Sequence, residues 1–166
     1  IEMSILSGKN ILLGVTGGIA AYKSTYLVRL LKKLGADVQV LMTPSSKDFV
    51  TPLTLSTLSN KPVLSEFFDK NDENKLWNNH VELALWADIF LIAPATSNTL
   101  SKMASARADN LLLAVYLSSK CAVACARINL VRINYFYIPS KGLFLCILCI
   151  LLRDMYLFDT YIFDTY

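Results

Sequence analysis

Three short stretches of this chain carry the residue types that bind phosphate-bearing small molecules. Gly14-Val15-Thr16-Gly17-Gly18-Ile19 is a glycine turn, and Thr43-Pro44-Ser45-Ser46 and Pro94-Ala95-Thr96-Ser97-Asn98-Thr99 are hydroxyl-rich turns. Each precedes a sequence pattern for a helix start, where free backbone N–H groups and the positive end of the helix dipole attract anions. Taken singly, each has a plain alternative: Gly17 and Gly18 as a tight strand-to-helix turn, and the 94–99 turn as a helix cap. Together they point to a phosphate-bearing cofactor or substrate. The glycines are not spaced G-x-G-x-x-G and no acidic residue closes the second apolar run, which disfavours a nicotinamide dinucleotide. His80, the one histidine, falls in the first turn of a helix pattern, where the dipole disfavours protonation. It is a candidate for proton transfer, with a helix-start surface residue as the alternative. Cys146 and Cys149 have C-x-x-C spacing but no second ligand pair, so they read as apolar filling, and no metal site is expected.

The elements that position these turns follow from periodicity. Residues 10–16 (NILLGVT), 37–42 (DVQVLM) and 88–93 (DIFLIA) are apolar runs of strand length. Residues 20–34 repeat Leu27, Leu30, Leu31 and Leu34 at helical spacing, with Lys23, Lys32 and Lys33 off that face and Gly35 as the stop. Thr43 and Pro44 read as the cap and first residue of another helix, limited or kinked at Pro52. A short strand is expected at 62–68, a polar loop at 69–78, and a helix from Asn79 to Trp86 started by the Asn79/Glu82 pair. A further helix is expected over 109–118, with Leu112, Val115 and Tyr116 inward, and a strand begins near Cys121. Alternating strands and helices predict an α/β fold, a mainly parallel sheet with ligands at the carboxyl ends of its strands.

Composition bounds the rest. The 166 residues are 54% hydrophobic and 17% charged with net charge +3, which excludes a disordered chain and gives no basic footprint for nucleic acid. No apolar run is long enough for a membrane span. The N-terminus lacks the order of a secretion signal, so a cytoplasmic location is expected. The average conceals an asymmetry: all four cysteines lie within 121–149, and between Gly35 and Gly142 there is no glycine. Residues 143–152 are almost continuously apolar and are expected to be buried or interfacial. The FDTY repeat at 158–161 and 163–166 is too short to define a repeat fold.

The segment Val15-Thr16-Gly17-Gly18-Ile19-Ala20-Ala21-Tyr22-Lys23-Ser24, then Met42-Thr43, Phe49-Val50-Thr51-Pro52, Asn79-His80-Val81-Glu82-Leu83, Trp86-Ala87-Asp88, the 94–99 turn, Lys102-Met103-Ala104 and Ala108-Asp109-Asn110-Leu111-Leu112 resembles, in order, the homo-oligomeric flavin-containing cysteine decarboxylases. The resemblance covers about residues 8–123. It implies a flavodoxin-like or Rossmann-like three-layer α/β/α domain that binds FMN between subunits of a trimer or dodecamer. It implies FMN-dependent decarboxylation of phosphopantothenoylcysteine, a small-molecule substrate, to phosphopantetheine in coenzyme A biosynthesis. His80 then corresponds to the acid/base. Gly17, Gly18 and Ile19 approach the flavin through main-chain groups, Ser45 and Phe49 make further flavin contacts, and Thr96, Ser97, Asn98 and Thr99 correspond to the family's P-A-S-A-N-T loop.

The departures are specific. Where the family reads A-N-G-I-A-D-N-L-L, Ala106 replaces the glycine and Arg107 an apolar residue; an alanine there is strained wherever the position needs positive φ. After Val123 the family's A-P-A-M substrate loop is replaced by Ala124-Cys125-Ala126-Arg127-Ile128-Asn129, and the cysteine-bearing substrate flap has no counterpart. Residues 1–123 therefore read as an FMN-binding domain incomplete against the family pattern, and 124–166 as an atypical apolar tail of the kind a frameshift leaves. Activity is expected to be impaired. The alternative is a non-catalytic flavin-binding or oligomer-forming subunit; a relative acting on a peptide cysteine or a prenylated flavin is a third reading, with the Asn79–His80 context against the prenyl branch.

Overall fold

A computed structural model describes residues 6–68, 78–127 and 135–137. Its centre is β1 (Asn10–Val15), whose residues from Ile11 onward are all buried. It lies between β2 (Asp37–Met42) and β3 (Ile89–Ala95), with β4 (Ala122–Arg127) beyond β3 and β5 (Tyr135–Tyr137) at the edge, in the order β2-β1-β3-β4-β5. The first four strands are parallel and β5 is antiparallel to β4. The strand order reverses direction at β1, so β2 and β3 leave β1 on opposite sides; in such sheets the crevice at that point takes the ligand.

Side chains of a strand alternate between its faces, and the core divides accordingly. Ile11, Leu13 and Val15 pack with Val38, Val40, Leu91 and Ala93 under Leu27, Val28 and Leu31 of α1 (Ser24–Lys33) and Leu55 of α2 (Pro52–Ser59). Leu12, Leu41, Phe90, Ile92 and Val123 pack on the other face, under Ala84 of α3 (His80–Trp86) and Leu111, Leu112, Leu113 and Val115 of α5 (Leu111–Ser118). The remaining helix is α4 (Ser97–Ala104). This is the three-layer α/β/α arrangement expected from the alternation of apolar runs. Among the described residues no helix is long and apolar enough to cross a membrane.

Several local expectations need correction. The helix expected from residue 20 starts as a 3-10 turn, Ile19–Lys23, before α1. A 3-10 turn advances about 120° per residue instead of 100°, which changes the phase, and Lys23 is buried rather than on the outer face. Thr43 and Pro44 open another 3-10 turn, Pro44–Asp48, in which the Thr43 side chain caps nothing. Pro52 does not kink that segment; it opens α2, capped by Thr51, because a proline at the first helical position loses no needed N–H. The strand expected at 62–68 is reduced to one bridge, Leu41 with Leu64. Pro94 and Ala95 belong to β3, not to the turn. The pairing register with β4 shifts between Ile92 and Ala95, where Pro94 has no N–H to donate. The helix expected over 109–118 starts at Leu111, with Asn110 accepting from Leu113 N as its cap (3.0 Å). The strand begun near Cys121 runs to Arg127. Most of the 69–78 loop, Cys146, Cys149, the apolar run 143–152 and the FDTY repeat lie outside the described residues.

Candidate functional site at the carboxyl edge of the sheet

The turns after β1, β2 and β3 meet at one edge of the sheet and are tied to one another. Thr43 N donates to Val15 O (3.0 Å), which fixes the β2 turn against the end of β1. Gly17 then lies directly on Ser45: a Cβ at Gly17 would sit 2.7 Å from Ser45 Oγ and 2.8 Å from Ser45 O. No side chain fits there, so this glycine is required by close approach. On the other side, Thr16 Oγ1 donates to Pro94 O (2.7 Å) and accepts from Thr96 N (3.1 Å). Thr16 is 1% exposed; its bond to Pro94 O is buried and the one from Thr96 N partly so. Thr96 continues the chain of contacts by capping α4, its hydroxyl accepting from Thr99 N (3.4 Å) and lying 3.1 Å from Thr99 Oγ1.

Between these ties the edge is open. Gly18 has extended backbone, and a Cβ there would meet nothing closer than Thr96 Cγ2 at 3.7 Å. Ser45, Ser97 and Asn98 are exposed, while Thr99 is buried. Ile19 and Phe49 present large apolar side chains to solvent, Ile19 at 82% exposure. Uncapped backbone at the Ile19–Lys23 turn, exposed hydroxyl and amide groups, and two bare apolar side chains form a set suited to a molecule with an anionic tail and a flat apolar ring.

His80 is the first residue of α3. Asn79 holds that start, its side chain accepting from Val81 N (3.1 Å) and Glu82 N (3.4 Å). The opposite end of α3 is tied to the start of β1, with Asn10 Nδ2 donating to Trp86 O (3.1 Å). Seven residues of helix therefore place His80 about 10 Å toward the carboxyl edge. The ring is half-buried, with Nδ1 buried. Phe67 packs edge-on against it at 6.1 Å between centroids. Phe67 is held in turn, its carbonyl accepting from Asn78 N (2.8 Å). His80 thus lies on the α3 side of the sheet, whereas Ile19 and Phe49 follow from the α1 and α2 side.

The structure brings Gly17 against Ser45 and Gly18 beside Thr96, and lines Thr96 to Thr99 along the start of α4. The His80 ring packs against Phe67. Two residues escaped the sequence reading as site components. The sequence places Thr16 in the glycine turn without a role of its own, and its partners 78 and 80 residues away leave no local trace. Lys23 is 7% exposed at the end of the glycine turn, its Nζ 6.0 Å from the centroid of the Tyr22 ring; the 3-10 phase that buries it is not written in the apolar spacing.

Comparison with known proteins agrees with this arrangement. The chain is 46% identical over 122 residues to the coenzyme A biosynthesis bifunctional protein CoaBC of Vibrio vulnificus, covering 74% of this chain and 30% of that protein. It is 44% identical over 119 residues to CoaBC of Escherichia coli, covering 72% and 29%. The chain thus spans under a third of the length of these relatives. Among solved structures it is similar to MrsD from Bacillus sp. HIL-Y85/54728, with a TM-score of 0.67 and 30% identity over 76% of this chain and 71% of that one. It is similar also to a PPC decarboxylase mutant complexed with pantothenoylaminoethenethiol, with a TM-score of 0.58 and 30% identity over 74% and 68%. The family model described as Flavoprotein matches residues 2–126, and the chain, with its glycine turn, hydroxyl turns and three-layer α/β/α fold, belongs to the Flavoprotein family.

Proposed function

We propose that this chain binds FMN at the carboxyl edge of its sheet and decarboxylates phosphopantothenoylcysteine to phosphopantetheine. The observation that carries the reading is the interlocking of the three turns by Thr16, Gly17 and Thr43. It leaves a cradle at Gly18, with Ile19 and Phe49 exposed beside it, in a chain whose relatives are coenzyme A biosynthesis proteins. Gly17, Gly18 and Ile19 would offer main-chain groups to the cofactor, Ser45 and Phe49 a hydroxyl and an apolar wall, and Thr96, Ser97, Asn98 and Thr99 the start of α4. The chemistry that FMN supplies when bound is reversible two-electron oxidation of the substrate's cysteine moiety. His80 moves a proton; with Nδ1 buried, Nε2 is the ring nitrogen assigned to that transfer. The same reading includes a homo-oligomer, for which the exposed Ile19, Tyr22, Tyr26, Phe49 and Leu53 supply apolar surface.

The test uses the purified full chain. Bound flavin is read from its visible absorption, and carbon dioxide release from phosphopantothenoylcysteine is followed for wild type and His80→Ala. The expected result is flavin binding in both and a loss of turnover of about 100-fold or more in the variant. Flavin-loaded wild type that releases no carbon dioxide supports the second reading, a non-catalytic flavin-binding subunit. That reading has its own observation: β4 continues into Ala124-Cys125-Ala126-Arg127 where a substrate loop is expected. Failure to bind flavin overturns both.

A further inference from the structure

The β2 turn is held to β1 by main-chain bonding and by the fit of Gly17 on Ser45. The β3 turn is joined differently: the two bonds from Thr16 to Pro94 O and Thr96 N both run through one side-chain hydroxyl. We infer that Thr16 is a positioning residue that sets the gap between the Gly17-Gly18 turn and the start of α4, and through that gap the affinity of the cofactor site. This inference rests on the flavin reading above.

The geometry makes the role directional. A threonine hydroxyl has one proton to donate and lone pairs to accept with, and Thr16 uses both functions at once, giving to a carbonyl and receiving from an amide. The two partners flank Ala95, so together they fix the last turn of β3 in position and direction. Thr96, whose amide is held, also carries the hydroxyl that caps α4. Its Cγ2 is the nearest group to the open side of Gly18. A displacement of the Thr96 amide therefore moves the cap, the first turn of α4 with Ser97 and Asn98, and one wall of the Gly18 cradle together. Because Thr16 is buried, water does not readily replace a lost bond, and the released Pro94 carbonyl and Thr96 amide must move to find new partners. With its hydroxyl engaged by Pro94 O and Thr96 N, Thr16 acts through the β3 turn and needs no contact of its own with the cofactor.

Two substitutions separate this role from simple packing. Thr16→Val keeps the shape and removes both bonds; Thr16→Ser removes a methyl group and keeps both. FMN affinity is measured by fluorescence titration of the full chain, corrected for the folded fraction, and hydrogen exchange is followed at the Thr96 amide. Thr16→Val is expected to weaken FMN binding at least fivefold and to speed exchange at Thr96 by a similar factor or more. Thr16→Ser is expected to keep both within twofold of wild type. The inference is overturned if Thr16→Val lowers thermal stability while the affinity of the folded protein is unchanged, or if Thr16→Ser is as impaired as Thr16→Val. If wild type binds no FMN, the flavin reading fails on its own. The Thr96 exchange comparison then still decides whether Thr16 holds the β3 turn.

Discussion

The carboxyl-edge turns and the corner between α4 and α5 are both built from short polar segments, but they are held in opposite ways. At the edge the ties are remote in sequence and buried: Thr16 reaches Pro94 and Thr96, Thr43 reaches Val15, and Thr16, Thr43 and Ser46 are at most 5% exposed. At the corner, residues 104–109 are all exposed, and the bonds are local, from Ala106 N to Met103 O (3.2 Å) and from Arg107 N to Lys102 O (2.9 Å). The departures from the family pattern, Ala106 and Arg107, fall in the local region. Remote buried ties couple a residue to the whole site, whereas a local exposed bend confines the consequence of a poor residue to itself.

The sharpest way to break this contrast is Gly17→Ala. The added Cβ would lie under 3 Å from backbone atoms of Ser45, which cannot swing aside as a side-chain tip does. We expect a loss of about 1–3 kcal/mol in unfolding free energy together with loss of flavin binding, measured by denaturant unfolding and FMN titration. A Gly17→Ala protein with wild-type stability and affinity would show that the edge yields as readily as the corner.

The next test compares the corner with a corner of identical bonding. At the end of α1, Gly35 N donates to Lys32 O and Ala36 N to Leu31 O, both at 3.0 Å. This is the pattern made by Ala106 and Arg107 at the end of α4, with the turning residue in the left-handed region in both: φ is 88° at Gly35 and 53° at Ala106. The strain foreseen for an alanine in place of the family's glycine is therefore present. A left-handed alanine costs about 1–2 kcal/mol, and replacing it by glycine gives back part of that gain through the looser unfolded chain. Ala106→Gly should raise the unfolding free energy by about 0.5–1 kcal/mol and Gly35→Ala should lower it by a similar amount. A destabilising Ala106→Gly would mean that the alanine methyl makes packing contacts outweighing its strain.

The same division explains what was readable in the sequence. The strands β1, β2 and β3 and the start of α3 at Asn79 carry their own signals, apolar runs and a capping side chain. The meeting of the three turns at one edge follows from strand–helix alternation alone. The 3-10 turns at Ile19–Lys23 and Pro44–Asp48 were not readable, because the same residues satisfy either helical period over five positions. The role of Thr16 was not readable either: an ordinary hydroxyl in a turn acquires its two partners only when β3 lies beside β1. His80 could be placed at a helix start, but its contact with Phe67 depends on how residues 64–67 leave the edge of β2.

The smallest expected effect also belongs to the α4–α5 corner. Asp109 pairs with Lys102 at 2.7 Å and with Arg107 at 3.5 Å. The hydrogen bond from Lys102, with the charges of Lys102 and Arg107 adding to it, holds the Asp109 carboxyl below the usual carboxylate range. A carboxyl that is more acidic folded than unfolded stabilises the fold above its unfolded value and loses that contribution as pH falls through the folded one. Asp109→Asn should therefore lower the melting temperature slightly at neutral pH, by less than any substitution above, because exposed ion pairs are weak and screened by salt. The difference from wild type should shrink as the pH is taken below the carboxylate range, and shrink also in high salt at neutral pH. The bond from Asn110 Nδ2 (3.3 Å) is one the amide oxygen of asparagine can also accept, so a difference that persists under both conditions would assign the role of Asp109 to backbone preference rather than to its charge. Because the corner is exposed and local, its ion pair registers in stability alone, and flavin affinity should be the same in Asp109→Asn as in wild type.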